Sequence, residues 1–163
     1  MRKKFVAVIG YGKSGKSTII QSLTGCGNRG FTGIVEDLSE NRSIYVHAAS
    51  PQEQPRTDEP AFRRILQKVL RSATIQGIVI AIQPTEPNQR LSMDTVIGLA
   101  GQSSFESFAF VLDPPYNNAT INFGFVRDRV LASDPNASVF RLDGRRFAIL
   151  NSEAIRALAR FPY

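Results

Sequence analysis

Apolar and polar positions follow two rhythms along this chain. Short apolar, β-branched runs at residues 4–9, 31–37, 43–49, 75–83, 107–113 and 138–142 read as strands. Residues 16–23, 60–72, 89–101, 123–132 and 151–160 carry helix-compatible patterns. In the second of these, Phe62, Ile65, Leu66, Val69 and Leu70 recur at helical spacing, while Arg63, Arg64, Lys68 and Arg71 face elsewhere. The runs Gly77-Ile78-Val79-Ile80-Ala81-Ile82 and Phe108-Ala109-Phe110-Val111-Leu112 are almost continuously apolar, as central parallel strands are. The alternation predicts a three-layer α/β domain, a mostly parallel sheet with helices on both faces. One link departs from it. Only Leu38-Ser39-Glu40-Asn41-Arg42 separates the second strand from the third, too little for a crossover helix, so these two pair as an antiparallel hairpin. Residues 50–60, with Pro51, Pro55 and Pro60, read as a loop. No repeat, low-complexity tract or linker interrupts the pattern, which makes residues 1–163 one domain.

The candidate chemistry lies between the first strand and the first helix. Gly10-Tyr11-Gly12-Lys13-Ser14-Gly15-Lys16-Ser17 matches G-x-x-x-x-G-K-[ST], preceded by Phe5-Val6-Ala7-Val8-Ile9 and followed by Thr18-Ile19-Ile20-Gln21-Ser22-Leu23. Strand, glycine-rich loop and helix together form a phosphate cradle. Glycines let successive N–H groups converge, and the helix N-terminus adds partial positive charge. The phosphate-binding residues expected are Gly10, Gly12, Lys13, Ser14, Gly15, Lys16, Ser17 and Thr18. Lys16 is the residue to reach the β- and γ-phosphates, and the Ser17 hydroxyl the one to ligate Mg²⁺. The pattern calls for a nucleoside triphosphate, GTP or ATP, with Mg²⁺ as the accompanying ion.

Composition narrows the setting. The 163 residues suffice for one real core, and no apolar run reaches the roughly 20 residues that a membrane span needs. The basic start, Met1-Arg2-Lys3-Lys4, precedes an apolar run too short for a signal peptide. With a single cysteine, Cys26, no intramolecular disulfide forms, and the expected location is cytoplasmic. The net charge of +6 permits nucleic-acid, acidic-membrane or nucleotide partners. No aromatic-interleaved RNA-binding signature accompanies it, so nucleic acid is possible but not indicated.

From the phosphate loop and the order of its elements, the chain resembles the Ras-like small GTPases of the P-loop NTPase superfamily. The resemblance implies a nucleotide-dependent switch or slow NTPase that meets a protein partner through switch-like loops, here residues 25–33 and 50–60. It implies a threonine ligand to Mg²⁺, for which Thr32 stands in place and Thr24 is the weaker choice. It also implies an Asp in D-x-x-G after the third strand. Here His47-Ala48-Ala49-Ser50-Pro51-Gln52-Glu53 stands instead, with His47 where the Asp belongs and Gln52 near the water-orienting glutamine. His47 reads as a structural strand-end residue or as a general base. The guanine-reading N-K-x-D is replaced by Asp113-Pro114-Pro115-Tyr116-Asn117, in which Asp113 and Tyr116 are the candidates to meet a base. Arg145 and Arg146 read as solvated charge.

Two other readings compete. A small-molecule kinase would use an acid after the second strand, Glu36 or Asp37, and arginines such as Arg63 and Arg64 as a lid, but the hairpin argues against it. A non-hydrolysing scaffold would keep the cradle and work through protein contacts.

Overall fold

The computed structural model describes residues 2–37, 40–54, 57–84, 91–117 and 120–161. Six strands form one sheet: β1 (Lys4–Ile9), β2 (Thr32–Asp37), β3 (Arg42–His47), β4 (Ile75–Ile82), β5 (Glu106–Leu112) and β6 (Ser138–Leu142). Five helices accompany them among the described residues: α1 (Lys16–Thr24), α2 (Glu59–Arg71), α3 (Met93–Gln102), α4 (Phe123–Ser133) and α5 (Ala148–Ala159). The strand order is β2-β3-β4-β1-β5-β6. All pairings are parallel except β2 with β3, where Thr32 lies opposite His47 and Asp37 opposite Arg42. The hairpin follows from its short link, and the three-layer α/β architecture follows from the alternation.

Helices cover both faces. On one, α2, α3 and α4 bury Phe62, Leu66, Val69, Val96, Ile97, Val126 and Val130 against the alternate side chains Phe5, Ala7 and Ile9 of β1. On the other, α1 and α5 bury Ile19, Ile20, Leu23, Ile155 and Ala159 against Val6 and Val8. Each large apolar side chain so buried contributes about 1.5–3 kcal/mol. Phe5 also meets Phe62 edge-on, with ring centroids 6.5 Å apart. In α2 the inward stripe is Phe62, Leu66 and Val69, whereas Leu70 is left exposed.

Element ends differ from the sequence pattern in three places. The third strand ends at His47 rather than residue 49, and a 3₁₀ turn, Pro51–Glu53, occupies part of the 50–60 loop. The loop's Pro55 and the first residues of the 89–101 helix segment lie outside the described residues, and α3 begins at Met93, capped by Ser92. Helix α5 begins at Ala148, three residues before the expected start.

The topology fixes where a ligand can sit. Strand β1 lies between β4 and β5: after β1 the chain runs to the β2 edge, returns inward through β3 and β4, then crosses to β5 and β6 on the other side. The loops after β1, β3, β4, β5 and β6 all emerge at one edge of the sheet. That edge, at the point where strand order reverses, is where open α/β sheets hold ligands.

Candidate functional site

Residues 10–17 hang between the end of β1 and the start of α1, at that reversal point. Gly10 closes β1 by donating its N–H to the Ile82 carbonyl at 3.0 Å. Gly15 is the N-cap of α1 with φ 96°, a left-handed conformation that a side chain would strain, and no side chain caps the helix. The first N–H groups of α1 therefore point out of the helix toward the loop.

Lys16 is 4% exposed. Its Nζ donates to the Tyr11 carbonyl at 2.7 Å and lies 3.5 Å from Ser14 Oγ. Burial lowers its pKa to about 8, a shift opposed in part by the negative charge of Glu53. The ammonium is thus held inside the loop with little solvation of its own. The Ser17 hydroxyl donates to the Ala48 carbonyl at 2.9 Å, which ties α1 to the end of β3.

A cavity of about 730 Å³ opens over this loop. Lys13, Ser14, Gly15, Lys16, Ser17 and Thr18 form its floor, and Arg29 and Glu53 stand at one side. Tyr116, whose N–H bonds to the Ser14 carbonyl, and the stretch from Gly144 to Ala148 complete the lining. Five cationic side chains (Lys13, Lys16, Arg29, Arg145 and Arg146) face one carboxylate. That imbalance suits a polyanion.

The other expected residues fall in different places. Thr32 opens β2 at the exposed sheet edge and does not line the cavity. Thr24 is buried and returns its hydroxyl to the Ile20 carbonyl of its own helix. His47 is 1% exposed, with Nδ1 against the Ala49 carbonyl at 2.5 Å and Nε2 3.5 Å from Thr57 Oγ1. Burial pushes its pKa below the usual imidazole value, which keeps the ring neutral, and it is a strand-end residue rather than a base facing the cavity. Gln52 lies on the 3₁₀ turn with both ends of its amide engaged. Its Nε2 donates to the Leu91 carbonyl at 2.7 Å and its Oε1 accepts from the Gln83 N–H at 3.2 Å. Its neighbour Glu53 lines the cavity instead, receiving a bond from the Gln83 side chain at 2.5 Å. Asp113 is 3.3 Å from Arg141 and lines an adjoining hollow of about 250 Å³, beyond Tyr116. Glu36 and Asp37 lie at the far end of the hairpin, away from the phosphate loop. Arg63 is engaged by Glu59.

Sequence reasoning missed Glu53, Arg29 and Phe147, and it gave Arg145 and Arg146 no part. The signal for Glu53 was present, one residue from Gln52. Successive residues of a 3₁₀ turn point about 120° apart, so only the fold says which of the two meets the loop.

Mg²⁺ fits this donor set in one form. No group of three acidic, histidine or cysteine side chains that could cage a metal occurs among the described residues. Two residues with hard oxygens, Ser17 and Glu53, line the same cavity. Mg²⁺ is ordinarily held by one or two such groups plus phosphate oxygens and water, so it would arrive with the phosphates.

No protein-family model matches this sequence, and no curated protein matches it significantly. A crystal structure of a variant of the protein SsGBP is similar in fold over 98% of this chain, with 16% identity and a TM-score of 0.47. The chain spans 57% of that chain's length. No helix among the described residues is long and apolar enough to cross a membrane.

Proposed function

We propose that this chain is a divergent Ras-like P-loop protein that binds a nucleoside triphosphate with Mg²⁺ and acts as a nucleotide-dependent switch or slow NTPase. The observation that carries the reading is Lys16: a buried ammonium held by the Tyr11 carbonyl, at the floor of a cavity rich in cations. Such an ammonium gains most from a ligand phosphate, which supplies the charge partner that burial denies it. Lys13 and Arg29 flank the same phosphates, and Ser17 with Glu53 supplies the protein oxygens toward the metal. The metal's part is to neutralise charge on the β- and γ-phosphates.

A second reading, the non-hydrolysing scaffold, is favoured by Gln52. Its amide is tethered at both ends to Leu91 and Gln83 and it does not line the cavity, so it stands away from the site of a water unless the 3₁₀ turn moves. On this reading the chain keeps the nucleotide without turnover and works through protein contacts at residues 25–33 or 50–60.

The test is calorimetric titration of the native protein and of Lys16→Ala with MgATP and MgGTP. The expected loss is about 100-fold or more in affinity, since a buried charge-assisted contact is removed. Unchanged binding by the variant would place the nucleotide elsewhere.

A further inference from the structure

Resting on that reading, we propose that the site holds the nucleobase by stacking between Tyr116 and Phe147 and does not discriminate guanine from adenine. Both residues line the cavity over residues 13–18, and they are 71% and 81% exposed. Each is fixed by its backbone. The Tyr116 N–H donates to the Ser14 carbonyl at 3.3 Å, anchoring it to the phosphate loop. Phe147 is the N-cap of α5, where its carbonyl accepts from the N–H groups of Leu150 and Asn151. Two exposed aromatic side chains that line the same cavity as Lys13 and Lys16 form a stacking platform for a planar group attached to a polyphosphate.

Groups that would read a base edge are engaged elsewhere. The turn between β6 and α5 uses its own donors: the N–H groups of Gly144, Arg145 and Arg146 bond to the Pro114 carbonyl, the Asp143 carboxylate and the Asp143 carbonyl at 2.7, 2.9 and 3.2 Å. A Cβ at Gly144 would lie 3.0 Å from both the Pro114 oxygen and the Tyr116 nitrogen, so the two loops approach closely there. The Asp143 carboxylate is held by the Arg145 guanidinium, which keeps its pKa below the usual range. Asp113 sits beside Arg141. The Asp113 and Asp143 carboxylates each already meet an arginine, which competes with the paired N–H groups that distinguish guanine, whereas stacking serves every base.

The experiment titrates the native protein and Phe147→Ala with MgATP, MgGTP and magnesium tripolyphosphate. Native affinities for ATP and GTP should agree within about threefold, and the variant should lose about tenfold for both while binding tripolyphosphate unchanged. A guanine preference above about 30-fold, or one abolished by Asp113→Asn, would overturn the proposal, because edge reading would then be at work. So would equal losses for tripolyphosphate and nucleotides in Phe147→Ala. If tripolyphosphate binds and Phe147→Ala changes nothing, the stacking proposal alone fails. If neither tripolyphosphate nor nucleotide binds, the phosphate-site reading fails and takes this one with it.

Discussion

The N-terminal ends of α2, α3 and α4 differ from those of α1 and α5. Asp58, Ser92 and Asn122 each accept an N–H from the first turn of their helix, at 2.9, 3.2 and 3.0 Å. Helices α2 and α3 add an acidic residue there, Glu59 and Asp94. Helices α1 and α5 have neither a side-chain cap nor a first-turn acid. These two uncapped ends are the ones that border the cavity, through Gly15 and Phe147. Where a helix end serves only the fold, the sequence satisfies it. Where it is left open, its N–H groups and dipole are available to an anion.

Closing an open end is the sharpest way to break this comparison. Gly15→Asp would put a carboxylate where the phosphates are proposed to bind, at a left-handed position. Nucleotide affinity should fall by about 100-fold or more, with circular dichroism confirming that the fold survives. Retained affinity would mean that the open end of α1 is incidental.

Proton linkage gives the next largest effect. Burial lowers the Lys16 pKa from its ordinary value to about 8, so the free site loses its positive charge as pH rises through 8. A bound triphosphate holds the proton, so affinity should be flat between pH 6.5 and 7.5 and fall about tenfold between pH 7 and 9. The sign for stability is the reverse. Folding disfavours the charged form, so this group's penalty is full below about pH 8 and is relieved as pH rises from 8 toward the unfolded value of 10.5. Lys16→Arg, whose charge does not titrate in this range, should abolish the pH dependence of binding.

The same substitution can stabilise the fold and damage the site. Phe147→Asp gives α5 the cap it lacks and removes little buried surface. Denaturant unfolding should show a gain of about 0.5–1 kcal/mol, while MgATP affinity falls about tenfold or more. At a capped end the pattern inverts: Asp58→Ala should lose about 1 kcal/mol of stability and leave nucleotide affinity unchanged. A binding defect in Asp58→Ala would dissolve the division between the two kinds of helix end.

The same division explains what was legible in the sequence. The strands declared themselves through apolar runs, and the hairpin through a link too short for a helix. Glycine and lysine spacing marked residues 10–17 as the loop that joins β1 to α1. Helix α5 was placed three residues late because Phe147-Ala148-Ile149-Leu150 is an apolar run with no capping residue to mark its start. The missing cap hid Phe147, which lines the cavity. Glu53 was obscured by a turn that points it and Gln52 in different directions. Thr32 and Asp113 occupy suitable positions along the chain, but edge-strand geometry and proximity to Arg141 draw them away from the cavity.

Backbone amide chemical shifts, followed by nuclear magnetic resonance during titration with MgATP, test the central claim most directly. The account predicts that the large shifts fall on residues 12–18 and around 147–149, the two uncapped ends, with the starts of α2, α3 and α4 unmoved. Shifts spread evenly over the basic surface, or centred on a capped helix, would contradict it.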